Sequence, residues 1–143
     1  MQVICIMYTG DIMDVHTILT SAGVRVTKGR TALLSRLKRA ARAQSATELH
    51  QAVGGDLVTI YRNLAIFAEL GIVREVRLAG SAVRYEDASI HHHHHAICTG
   101  CGKIAELPAC GIRHTATDAN AVPGFDRITS HTFEYSGICN ACA

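Results

Sequence analysis

Acidic side chains are missing from a long stretch near the start of the sequence. Between Val15 and Thr47 there is no aspartate or glutamate, although seven basic residues lie there. They are Arg25, Lys28, Arg30, Arg36, Lys38, Arg39 and Arg42. Such a one-sided distribution creates a positive surface that attracts phosphate groups. Taken alone, it favours the plainer interpretation of a solvated basic helix face.

Long apolar runs and a secretion signal are also missing. No segment approaches the ~20 apolar residues that span a bilayer. The apolar start, up to Met13, has neither the positive region nor the cleavage site of a signal peptide. We therefore expect a cytoplasmic protein with no membrane partner. Two translation starts stay open, and residues 1–13 are an extra N-terminal segment if Met13 is the true one.

Common enzyme motifs are absent as well. The sequence contains no nucleophile elbow, no phosphate-cradling loop and no H-E-x-x-H. Nothing supplies the general-base geometry that metal-assisted hydrolysis needs. We expect that the protein is not an enzyme, and a metallohydrolase is the most remote alternative.

What the first half does contain is a series of helix signals. Residues 14–23 have apolar positions at helical spacing and end in glycine. Thr27 can cap a basic helix that runs to about Ala43. Ser45 opens a capping box before a short third helix, and Asp56 caps a fourth.

The third and fourth helices, separated by a glycine turn, have the order of a helix-turn-helix. In that motif the N-terminal part of the second helix meets the bases, which places Thr59, Tyr61 and Arg62 there. Tyr61 has the alternative of half-buried packing. Two strand-like runs, residues 72–78 and 81–86, would form the hairpin of a winged helix.

The second half of the sequence differs in composition and begins with histidines and cysteines. Residues 114–122 are compatible with a helix, and residues 125–142 alternate in the way that is typical of a strand. We predict an α+β fold with an N-terminal winged-helix DNA-binding domain over residues 14–87. A small C-terminal α/β domain would occupy residues 88–143. A core of that size gains stability from a structural metal ion and from a dimer partner.

The cysteines form the strongest motif. Four of the six occur as two C-x-x-C pairs, Cys98 with Cys101 and Cys139 with Cys142. This spacing lets both thiolates of one pair, called a knuckle, reach the same ion. Two knuckles then supply the four tetrahedral sulfur ligands that zinc favours. The alternatives are a redox pair and unligated core cysteines. Cys5 and Cys110 are interpreted as free thiols.

A tract of consecutive histidines, His91–His95, precedes the first knuckle. On a strand, alternation would put His93 and His95 on one face and His92 and His94 on the other. Nearby carboxylates are Glu86, Asp87 and Glu106. Mixed imidazole and carboxylate sites suit Fe²⁺, Mn²⁺ and Zn²⁺. The alternative is a polar surface tract that picks up metal only in vitro.

Several motifs together resemble the ferric uptake regulator family, which contains iron, zinc, manganese and peroxide sensors. They are V-T-K-G-R (Val26–Arg30), S-A-T-E-L (Ser45–Leu49), V-T-I-Y-R-N-L (Val58–Leu64), the stretch His91–Lys103 and the terminal C-N-A-C. The resemblance covers the chain from about Val15 to Cys142. It implies a homodimer of two-domain subunits that binds a palindromic double-stranded DNA operator when the regulatory metal is bound.

The resemblance also implies ligand sets. Cys98, Cys101, Cys139 and Cys142 match the structural zinc ligands. The regulatory metal, Fe²⁺, Zn²⁺ or Mn²⁺, would be held by Glu86, His93, His95 and Glu106. Asp87, shifted by one, matches the carboxylate position of the peroxide sensors, so which of the two carboxylates binds metal stays open.

A third metal site of the family corresponds to His92, His94 and His131, but Arg113 occupies the place of its glutamate. In the DNA-binding half, Arg25 matches a minor-groove side chain, while Tyr61 and Arg62 match a pair that reads the major groove.

Two positions depart from the family pattern. Ala43 stands where the DNA-binding domain normally contributes a histidine, with His50 on the next helix, and Ala88 stands where zinc sensors have a cysteine.

These observations predict a metal-responsive transcriptional repressor. One alternative is a peroxide sensor on the same scaffold, in which iron-bound histidine is oxidised. An alternative of another class is a metal storage protein or chaperone that binds DNA without sequence preference.

Overall fold

The structure is a computed structural model that describes residues 14–90, 93–107, 123 and 133–143. Two compact units divide the chain between Ile90 and His91. The first contains α1 (Val15–Ser21), α2 (Lys28–Arg39), β1 (Gln44–Ser45), α3 (Ala46–Val53), α4 (Leu57–Glu69), β2 (Val73–Val76) and β3 (Arg84–Asp87). The described part of the second contains β4 (His94–Cys98), β5 (Ile104–Leu107) and β6 (Glu134–Gly137). No helix within these ranges is long and apolar enough to cross a membrane.

Three helices of the first unit, α2, α3 and α4, begin at the predicted capping residues. Thr27 accepts a hydrogen bond from the Arg30 backbone N–H at the start of α2, and Asp56 accepts one from Thr59 N–H at the start of α4. Between α3 and α4, Gly54 and Gly55 have φ angles of 73° and 88°, which favour glycine. The predicted order of helix, glycine turn and helix is confirmed.

The end of α2 differs from the prediction. The helix stops at Arg39, and Ala40 is already extended with φ −72° and ψ 130°, so the expectation of a helix to about Ala43 is wrong. The reason is tertiary. Gln44 and Ser45 form β1, which pairs with β3, and the chain must be extended to enter that ladder.

The core of the first unit is a single apolar cluster. Its largest fully buried side chains are Leu19, Leu33, Leu34, Leu37, Leu49, Leu64 and Phe67. They come from all four helices, so each helix buries one face against the others. The antiparallel strands β3 and β2 form the predicted hairpin, and β1 lies on the far side of β3.

The second unit has a sheet of order β5-β4-β6. β4 and β5 are antiparallel, whereas β4 and β6 are parallel. Of the strand predicted over residues 125–142, Glu134–Gly137 is confirmed as β6. The predicted helix over 114–122 lies outside the described residues, as do Cys5 and Cys110.

Glu48 illustrates how local sequence and tertiary contacts combine. Its carboxylate accepts from the Ser45 backbone N–H in a capping box and pairs with Arg42 and Arg84 at 2.9 and 2.7 Å. Partial burial raises the pKa of this carboxyl, but the Ser45 N–H and the two guanidinium groups outweigh that effect and lower the pKa to about 2. The charged form therefore stabilises α3 and its junction with β3.

We expect Glu48→Gln to lower the free energy of unfolding by about 1 kcal/mol at neutral pH, because the charged half of the capping box is lost. The folded-state pKa lies below the ordinary value of 4.5, so this stabilisation is present above that pH and disappears as pH falls towards about 2. Urea unfolding at several pH values measures it. Glu69→Gln, at the exposed end of α4, is the control, and equal pH dependence in both variants would contradict the assignment.

Candidate metal centres and nucleic-acid interface

The two C-x-x-C pairs meet at one edge of the second unit. Cys98 ends β4, and Cys139 follows β6 by two residues. Because the two strands are parallel, with Cys98 opposite Gly137, their C-terminal ends lie side by side. The sulfur atoms of Cys98, Cys101, Cys139 and Cys142 all lie within 4.8 Å of one another.

The sulfur geometry fits zinc. The Cys101 and Cys139 sulfurs are 3.7 Å apart. A tetrahedral ion with Zn–S bonds of about 2.3 Å would place its sulfurs roughly 3.8 Å apart. The four thiols therefore need little rearrangement to take a zinc ion.

The electrostatics of this cluster favour a cation. The backbone N–H of Cys139 donates to the Cys98 sulfur at 3.3 Å, and this bond, with that from Cys101, lowers the pKa of Cys98 to about 6. In contrast, interactions with the Cys101, Cys139 and Cys98 side chains raise the pKa of Cys142 to about 12. One thiolate is thus stabilised by backbone donors, whereas a full set of thiolates requires a cation between them.

Gly100 is a residue of this centre that the motif alone did not single out. A β-carbon added at position 100 would lie 3.3 Å from both the β-carbon and the sulfur of Cys142. Such an approach is tighter than ordinary van der Waals contact. The absence of a side chain at Gly100 lets the two knuckles come together.

A second cluster lies within the same unit. Ligand atoms of His93, His95 and Glu106 lie within 4.8 Å of one another. The two imidazole rings meet edge to face with centroids 4.7 Å apart, and His95 stands directly opposite Glu106 across β4 and β5. The buried Oε1 of Glu106 has no hydrogen-bond partner among the described residues. A buried carboxylate oxygen without a donor is costly unless a cation or water satisfies it.

The two carboxylates on β3 belong to the first unit and differ in their surroundings. Asp87 is held by Lys38 Nζ at 2.9 Å, by the Ser89 hydroxyl at 2.8 Å and by the Ser89 N–H at 3.2 Å. Glu86 is almost fully buried, and the Nε of Arg74 lies 3.6 Å from its carboxylate. The carboxylate of Asp87 thus already accepts three hydrogen bonds from Lys38 and Ser89.

The third metal site predicted from the resemblance is only partly within the described residues. His94 is buried on β4, and its ring packs edge to face on Phe133 with centroids 5.7 Å apart. His92 and His131 lie outside the described residues, so this site stays a prediction.

The predicted DNA-contacting side chains are all exposed on the first unit. Arg25, Thr59, Tyr61 and Arg62 are exposed. Tyr61 is 50% exposed, so its alternative of half-buried packing stays open, and the Thr59 hydroxyl donates to Asp56 at 3.1 Å. Val58, not singled out from the sequence, is also 56% exposed. Its position within the first turn of α4 was the available signal.

Of the two positions that depart from the family pattern, Ala43 offers no metal ligand. Ala43 is completely buried, and an alanine side chain offers no ligand atom. On the next helix, the Nε2 of His50 lies 3.0 Å from the carbonyl oxygen of Gly55, so this side chain contacts the turn before α4.

Comparison with known proteins agrees with this arrangement. Residues 21–136 match the model of the ferric uptake regulator family. A peroxide-responsive repressor PerR of Staphylococcus aureus is 36% identical over 129 residues, which cover 87% of this chain and 86% of the relative.

Solved structures are similar as well. The ferric uptake regulator from Francisella tularensis with iron is 27% identical, with a TM-score of 0.68 over 84% of this chain and 95% of that one. The regulator from Pseudomonas aeruginosa with manganese is 25% identical, with a TM-score of 0.66 over 90% and 99%.

The four-cysteine centre generates a direct prediction. We expect the purified protein to contain about one zinc ion per chain, and Cys98→Ser to lose it, because a tetrahedral site needs all four thiolates. Elemental analysis after dialysis measures the content. Cys110→Ser, outside both pairs, should keep the zinc, and equal zinc in the two variants would contradict the site.

Proposed function

The chain belongs to the ferric uptake regulator family, and from this premise we propose that it is a dimeric, metal-responsive repressor of the cytoplasm that binds a double-stranded DNA operator. The observation that carries the proposal is the presence of two chemically different metal-ligand sets in one small unit. One consists of thiolates, and the other contains imidazole and carboxylate groups.

The thiolate set has a structural role in this proposal. Four thiolates suit zinc, and a closed tetrahedral site leaves no position for exchange with substrate or signal. The ion would hold the C-terminal ends of β4 and β6 together. It would stay bound whether or not the repressor is active.

The regulatory ion would be held by His93, His95 and Glu106, with Glu86 as the fourth ligand. This donor set suits Fe²⁺, Mn²⁺ or Zn²⁺. Asp87 is the alternative carboxylate, and its oxygens already accept hydrogen bonds from Lys38 and Ser89.

The first unit would contact the operator through both grooves. Arg25 would enter a minor groove, where a narrow groove attracts arginine. Tyr61 and Arg62 would read the major groove, since arginine pairs with guanine edges and an aromatic ring packs on a thymine methyl. Thr59 lies at the same end of α4, where its hydroxyl also completes the helix cap.

A homodimer is supported by the second unit. Its described edge strand β6 and the residues beside it expose three large apolar side chains: Phe133, Tyr135 and Ile138. Exposed apolar groups clustered on a small unit are typical of an interaction surface. Two copies would present their recognition helices to successive major grooves of a palindrome.

A peroxide sensor is the second candidate, favoured by the identity to the peroxide-responsive repressor. Treatment of the Fe²⁺-loaded protein with hydrogen peroxide would then add one oxygen atom to a histidine of the His91–His95 tract. Mass spectrometry of the peptides decides between the two functions. Unmodified histidines together with lasting operator binding would exclude the peroxide sensor.

For the repressor, we expect Glu86→Ala combined with His93→Ala to abolish metal-dependent operator binding. The regulatory ion would lose two ligands, whereas the thiolate centre is unchanged. In the wild type, metal should strengthen binding by a factor on the order of 10 to 100. Fluorescence anisotropy with an operator selected from random DNA measures this factor.

The double variant should remain a zinc-containing dimer, as checked by elemental analysis and light scattering. Glu75→Ala, which removes an exposed carboxylate from the neighbouring strand β2, should keep the full metal response. Operator binding that still depends on metal in the double variant would contradict the assignment of the regulatory site.

A further inference from the structure

Arg30 lies on α2 but its guanidinium joins two other parts of the first unit. Its Nε donates to Oδ1 of Asn63 on α4 at 3.0 Å. Its Nη1 donates to the backbone carbonyl of Arg25 at 3.0 Å. Asn63 is only 8% exposed, so the first of these hydrogen bonds is partly shielded from water.

These bonds connect the two segments that are proposed to contact DNA. Arg25 lies in the segment between α1 and α2, which has no regular secondary structure. Asn63 directly follows Tyr61 and Arg62, but it points into the protein while they are exposed. One side chain therefore fixes the backbone of Arg25 with respect to the recognition helix.

We infer that Arg30 is a positioning residue for operator recognition, which keeps Arg25 and α4 at the separation that lets both grooves be contacted together. The inference rests on the proposed function, because it gives Arg30 a role only if Arg25 and α4 bind DNA. Its role is geometric, since both acceptors are neutral oxygens of the protein itself.

The chemistry of arginine matches this role. A guanidinium is a rigid, planar fork whose N–H groups point in fixed and different directions, so it can hold two acceptors at a set distance. A lysine ammonium carries the same charge as a point on a flexible stem. Arg30→Lys therefore keeps the positive charge that attracts phosphate but removes the planar arrangement of N–H donors.

The test compares binding to two DNA duplexes, an operator selected by the wild type from random DNA and a scrambled duplex of equal length. Dissociation constants are measured over a range of salt concentrations for Arg30→Lys, Asn63→Ala and the double variant. Arg36→Lys is the matched control, because Arg36 is an exposed arginine on the same helix. Alanine is a strong helix former, so α4 should remain folded in Asn63→Ala.

We expect Arg30→Lys to weaken operator binding about tenfold or more, which corresponds to the loss of a hydrogen bond from a charged group. Binding to scrambled DNA and the slope of affinity against salt should not change. The double variant should bind the operator no less tightly than the less tightly binding of the two single variants, because both substitutions break the same hydrogen bond. Arg36→Lys should leave the preference for operator intact.

Two results would overturn the inference. Equal affinity of Arg30→Lys and the wild type for the operator would show that the fork is not needed. A loss of equal size on the operator and on the scrambled duplex would show that Arg30 acts without regard to DNA sequence, as a phosphate contact does. A wild type that selects no sequence at all would instead contradict the proposed function, and with it any positioning role.

Discussion

The parallel pairing of β4 with β6 is the constraint on which the second unit depends. It places Cys98 and Cys139 at the same edge of the sheet, although they are far apart in sequence. Four thiolates this close together repel one another, and the neighbouring thiol groups raise the pKa of Cys142, so a cation between them stabilises the deprotonated set. A zinc ion would therefore fix both the sheet order and the position of the last residues of the chain.

The same strand connects this centre to the second ligand set. β4 ends in the first knuckle and begins at the histidine tract, so the register that aligns Cys98 with Gly137 also aligns His95 with Glu106 through β5. A zinc ion would act on metal sensing indirectly. It would hold the sheet on which His93, His95 and Glu106 converge, and a regulatory ion would then complete that ligand set.

Sequence reasoning succeeded where chemistry is local. The caps at Thr27 and Asp56 and the placement of His93 beside His95 follow from spacing alone, and the structure confirms them. It failed where partners are distant in sequence. The pairing of β1 with β3 shortens α2, and the Arg30 to Asn63 hydrogen bond spans two separate motifs. Neither contact has a periodicity or spacing that a single sequence reveals. The roles of His92 and His131 stay predictions.

In the proposed function, a second metal ion that is distinct from the structural zinc controls operator binding. The most direct measurement adds each candidate metal to protein that holds only its structural zinc, and follows bound metal by elemental analysis and operator affinity in the same samples. We expect the affinity for the operator to rise as a second ion per chain binds, while the content of structural zinc stays constant. Full affinity with the structural zinc alone, unchanged when a second ion binds, would contradict it.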